Sequence, residues 1–169
     1  MNTVFEKFKQ LNIDTTPISL EHPEYIYPYF CYPTNAVPIG FEGCIMYCFI
    51  KPYGDMVFAA NPESCADTLV YPLANSFEDF VKLILACTSA NPVEQIVWMN
   101  KEQFEQHLCN EKNACTENQK TVLDIIAKEL SISPMENPYE YVKAVQAGFD
   151  GSHIEYSDEY YDVLGIERE

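Results

Sequence analysis

Between Gly43 and Phe58 the chain is apolar at nearly every position. Cys44, Met46, Cys48 and Ile50 fall on one side of an extended backbone, and Ile45, Tyr47 and Phe49 on the other. That pattern predicts a central strand buried on both faces. Lys51-Pro52-Tyr53-Gly54-Asp55 then reads as a turn, and Met56-Val57-Phe58-Ala59-Ala60 as an antiparallel return. Thr68 to Ala74 reads as a further strand ended by Pro72, and the proline-rich stretch 24–33 as an edge or a loop. A short helix is expected at the start, with Val4, Phe5, Phe8 and Leu11 on one face.

Helical spacing takes over at Ser76. Ser76 and Asp79 form a capping pair, and Phe77, Phe80, Val81, Leu83, Ile84 and Leu85 make a wide apolar face behind it. Thr116 with Gln119 opens a second helix whose stripe is Val122, Ile125, Ile126 and Leu130. A third begins at Asn137-Pro138 and runs to Gly148, with Tyr141, Val142 and Val145 inward. A shorter helix is expected from Lys101 to Leu108. Eight of the eleven prolines lie before residue 73, which keeps long helices out of the first half. No Gly/Ser linker or fixed-period repeat divides the chain, so residues 1–169 read as one α+β domain.

Composition narrows the functional classes. The chain has 169 residues, 47% apolar, with 26 acidic and 10 basic side chains and a net charge of −16. That excess of acid argues against binding a phosphate backbone or anionic lipid. Glu6, Lys7 and Lys9 interrupt any leader-like apolar stretch, and the run Ile45–Ile50 is far too short to span a bilayer. Seven cysteines, an odd number scattered through apolar segments, fit reduced thiols buried as small hydrophobes in a cytoplasmic protein. The competing zinc reading meets Cys44 and Cys48 without a second pair, and His107, Cys109 and Cys115 without a fourth ligand.

No catalytic constellation emerges. There is no glycine-rich phosphate loop or nucleophile elbow, and acidic pairs such as Glu78-Asp79 and Asp158-Glu159 read as solvated faces. The remaining unusual feature lies between Asp150 and Asp162, with five acids, three tyrosines and no lysine or arginine. One reading is a solubilising tail whose tyrosines pack on the body. The other is a partner-binding surface carried by Glu155, Tyr156, Asp158, Glu159, Tyr160 and Asp162.

The hairpin Cys44–Ala60 with its Gly54-Asp55 turn, followed by Tyr71-Pro72-Leu73-Ala74-Asn75-Ser76-Phe77-Glu78-Asp79-Phe80, resembles the SUKH superfamily of Smi/Knr-like domains. The likeness covers residues 36–110. It departs from the family in two ways: the only tryptophan is Trp98, in the second half, and the family's Asn-Gly loop is missing. The resemblance implies an α+β fold in which a curved antiparallel sheet in the first half packs against helices from the second. It also implies a non-catalytic protein-binding role. Many bacterial members are immunity proteins that neutralise polymorphic toxins, while fungal relatives regulate the cell wall and signalling. The expectation is a cytoplasmic immunity protein without metal or cofactor, whose partner is a basic toxin domain. The alternatives are a small enzyme with a cysteine- or carboxylate-based site and a small-ligand or scaffolding domain.

Overall fold

The computed structural model describes residues 3–168. Helix α1 (Thr3–Gln10) leads into strands β1 (Ala36–Glu42), β2 (Ile45–Ile50), β3 (Val57–Ala60) and β4 (Val70–Ala74). Helices α2 (Phe77–Cys87), α3 (Ala90–Gln95), α4 (Lys101–Asn113), α5 (Glu117–Leu130), α6 (Pro138–Gln146) and α7 (Asp158–Leu164) follow. The strands form an antiparallel meander in the order β1-β2-β3-β4, and the helices of the second half pack against it. The fold is α+β.

The double-sided apolar pattern of β2 places it inside the sheet, and the two faces bury separate clusters. Ile45, Tyr47, Val57, Ala59, Tyr71 and Leu73 join Phe77, Phe80 and Ile84 of α2 and Ile126 of α5 in the larger one. On the opposite face Met46, Cys48, Ile50, Phe58, Ala60 and Val70 meet Phe41 and Ile154. Tyr53 and Phe149 complete that second cluster, each about 5.4 Å between ring centroids from Phe58. The helices cover one face; a strap of chain after α6 covers the other.

Four elements extend or differ from the reading of the sequence. Strand β1 lies at residues to which that reading assigned no element, and a register shift between Pro38 and Gly40 accommodates the proline. Gly40 is required there: a Cβ would stand 3.1 Å from the Leu20 Cβ that packs on the strand. Pro72 does not end β4. It sits at a second register shift on an edge strand, where it has no ladder bond to donate. Helix α4 runs on to Asn113 where the sequence suggested an end at Leu108, and α3 occupies a stretch to which no element had been assigned.

The caps hold as their spacing implied. The Ser76 hydroxyl accepts from the Asp79 N–H at 3.1 Å and the Thr116 hydroxyl from the Gln119 N–H at 3.1 Å. Helix α6 lies along β4 and satisfies its outer edge. Gln146 Nε2 donates to the Pro72 carbonyl at 3.0 Å, and the Asn75 N–H donates to the Tyr141 hydroxyl at 3.0 Å. An edge closed in this way offers little backbone to a foreign strand. Phe80 is fully buried and Ile126 is 1% exposed. Phe80→Ala should cost about 3–5 kcal/mol and Ile126→Ala about 2–5 kcal/mol in urea unfolding. An unmoved transition would contradict this packing of α2 and α5.

Candidate functional site

The segment singled out by its acids and tyrosines is divided by the fold into two parts. Residues 149–156 form the strap over the second face of the sheet, and residues 158–164 form α7. The strap is held by named bonds. Tyr53 Oη donates to the Asp150 carbonyl at 2.8 Å and accepts the His153 N–H at 3.0 Å. The Thr34 N–H donates to the Glu155 carbonyl at 2.7 Å, and the Asn35 side chain bonds both the His153 carbonyl and the Glu155 N–H. Ile154, 9% exposed, is its apolar anchor.

The six proposed partner-binding residues are therefore not equivalent. Tyr156 is half-buried against the second cluster and stacks on Tyr160, with ring centroids 3.7 Å apart and planes 6° apart. Burial and the neighbouring Tyr160 hydroxyl push the Tyr156 phenol well above its ordinary range. Asp158 is engaged by Arg168 at 2.6 Å, and the guanidinium also lies over the Tyr161 ring. Glu155, Glu159 and Asp162 are exposed. The tyrosines here pack on the body and the free acids face water.

The outward aromatics lie elsewhere, in the loop 22–35. Tyr25 is 75% exposed and Tyr27 59% exposed, with Ile26 and Val37 also open. A ladder of ring contacts runs inward from Tyr27 to Tyr29, Tyr32 and Phe41. The end of this loop, at Thr34 and Asn35, is bonded to the strap. The aromatic loop and the acidic segment thus adjoin through residues 34–35 and 153–155. The cluster Tyr25-Ile26-Tyr27-Pro28-Tyr29-Phe30 is visible in the sequence, but nothing there tells which rings turn outward.

A second feature escaped the sequence reading: a buried polar network between sheet and α3. Glu94, 1% exposed, accepts from the Tyr71 hydroxyl and from Asn61 Nδ2 at 3.1 Å. Glu42 accepts from Asn91 Nδ2 at 3.1 Å and from the Tyr47 hydroxyl at 3.3 Å, while His107 Nε2 lies 3.1 Å from Asn91 Oδ1. Burial raises the Glu42 carboxyl above its ordinary value, opposed by the Asn91 and Ser19 hydrogen bonds, and the Glu94 charge adds to the rise. Glu94 is sealed from solvent, and its bonds to Tyr71 and Asn61 satisfy it there. The network fastens α3 to β1, β4 and the end of β3.

The thiols show two environments. Cys31, Cys48 and Cys87 are buried, and burial pushes Cys31 and Cys87 up to about 12. Cys65 and Cys109 are exposed, which corrects the expectation that all seven are buried. Among the described residues no group of three His, Cys, Asp or Glu side chains is placed to hold a metal ion. His107 is turned toward Asn91. No helix among the described residues is long and apolar enough to cross a membrane.

Comparison of the chain with protein-family models, with curated sequences and with solved structures gave no match.

Glu42 yields a pH test. Its native pKa is raised, so its ionisation costs folding free energy. That cost is absent below the ordinary value of 4.5 and grows as pH rises through the native value. Glu42→Gln, which keeps an acceptor oxygen for Asn91 and Tyr47, should therefore raise the melting temperature at pH 7.5 and change it little at pH 4. A variant equally stabilised, or equally destabilised, at both pH values would contradict this placement of the carboxyl.

Proposed function

We propose that this chain is a non-catalytic, cytoplasmic protein-binding domain, an immunity protein of SUKH type that neutralises a basic toxin domain. The observation that carries the reading is the outward Tyr25-Ile26-Tyr27 of the loop 22–35, on a chain of net charge −16 whose acids Glu155, Glu159 and Asp162 are also exposed. Outward tyrosines supply contact area at low entropy cost, and uncompensated acids steer a cationic partner. A toxin that acts on nucleic acid carries cationic surface where it meets phosphate, and an acidic inhibitor can cover it. The family-like residues 36–110 supply the other support. Nucleic acid and membrane play no part in this proposal, nor does a cofactor.

Within the proposed interface the residues have different duties. Glu159 and Asp162 are exposed, free of the Arg168 pairing that occupies Asp158, and with Glu155 they provide the steering charge. Tyr25 and Tyr27 provide the packed contact. Tyr156 and Tyr160 hold the platform.

The test uses surface plasmon resonance between the full chain and the product of the neighbouring gene, the partner this proposal requires, at two salt concentrations. Glu159→Lys combined with Asp162→Lys should slow association about tenfold at low salt and less at high salt. Tyr27→Ala should act on dissociation, with a loss of about 1–2 kcal/mol in affinity. Failure to form a complex, or kinetics unchanged in both variants, would overturn the reading.

A further inference from the structure

Among the nine lysines only Lys82 and Lys143 are half-buried. Lys82 lies 3.8 Å from Asp79, but no carboxylate among the described residues lies within ion-pair distance of Lys143. In a chain with 26 acids, a half-buried cation left without one is unusual. Its ammonium donates to the Val97 carbonyl at 3.3 Å and rests 5.5 Å from the centre of the Tyr139 ring. An ammonium has three N–H donors, and the Val97 carbonyl takes one of them. Burial lowers the pKa of this amine, the direction expected for a cation taken from water without an anion in return.

Lys143 borders a groove of about 750 Å³ between β4, the end of α6, the strap and α7. Its lining is mixed: Leu69, Val70, Phe149, Ile154, Leu164 and Ile166 form the apolar part, and Thr68, Tyr156 and Tyr160 bring hydroxyls to it. Leu164 is 40% exposed and Ile166 49% exposed, so the far wall is open to an apolar occupant. Asp67 also borders the groove, beside the start of β4, and the Gln146 amide is already committed to the Pro72 carbonyl. A cleft of this size that combines apolar walls with a few polar groups and one cation matches small-molecule sites in general.

We infer that this groove binds an amphiphilic carboxylate, a fatty-acid-like molecule whose head group pairs with Lys143 and whose hydrocarbon body lies along Leu69, Phe149 and Leu164. The pair would be charge-assisted and half-desolvated, and the chain of methylenes would cover the apolar wall that α7 leaves open. This inference does not rest on the protein-binding reading.

The experiment titrates the full chain with decanoate and with decan-1-ol, each below its aggregation limit, by calorimetry. Decanoate should bind at one saturable site, roughly tenfold tighter than the alcohol, as one hydrogen bond to a charged group warrants. Lys143→Met should remove that difference while leaving the alcohol unchanged. Leu164→Asp, at an exposed position that the fold tolerates, should weaken both. Absence of saturable decanoate binding would overturn the inference, as would a Lys143→Met variant that keeps its preference for the carboxylate or a Leu164→Asp variant that binds as well as the native chain.

Discussion

Strands β2 and β3 are apolar on both faces, and a sheet with such a centre must be covered twice. Val57, Phe58, Ala59 and Ala60 are all fully buried, two on each side. The helices account for one cover. No helix contributes to the other cluster among the described residues, so the chain returns after α6 as a strap with a turn at Ser152-His153 and closes it with Phe149 and Ile154. Ordering these residues costs about 1–2 kcal/mol of backbone entropy each, and only burial and satisfied backbone bonds can offset it. The strap therefore places its hydrogen bonds on Tyr53, Thr34 and Asn35, the residues that border the face it covers.

This constraint also arranges the surface. The strap is anchored at Glu155 by Thr34 and Asn35, the end of the loop that carries Tyr25 and Tyr27. Because α7 follows the strap, Tyr160 and Leu164 become the far wall of the groove that Lys143 borders. Gly165, at φ +65, ends α7 in the left-handed region and turns Arg168 back toward Asp158. The exposed acids of the strap and α7 and the groove beside them are both consequences of how the second face is closed.

Periodicity made much of this legible. The alternation in Ile45–Ile50, the turn at Lys51–Asp55, and the helices capped by Ser76 and Thr116 follow from local rules and sit where those rules put them. The strap was not legible, because Asp150-Gly151-Ser152-His153 reads as surface loop and its anchors Phe149 and Ile154 are too few to form a pattern. Strand β1 was hidden by Pro38 and Gly40, each of which weakens a strand unless a bulge or a close neighbour makes it useful. Of the candidate site, the acids were found and the outward tyrosines were not. Exposure of Tyr25 as against Tyr32 depends on where the loop meets the sheet, not on composition. The Glu94 network did leave a trace in the sequence: a carboxylate between Val93 and Ile96, with tyrosines in two buried strands to receive it.

The account stands or falls on whether residues 149–156 are a structural cover or a tail. Unfolding of full-length Ile154→Ala in urea, compared with Asp162→Ala on the same chain, tests it most directly. A cover predicts a loss of about 2–5 kcal/mol for Ile154→Ala, with a dye for exposed apolar surface binding the variant, and a change within about 0.5 kcal/mol for Asp162→Ala. Equal and negligible effects of the two substitutions would contradict it, and would leave the second face of the sheet without the partner described above.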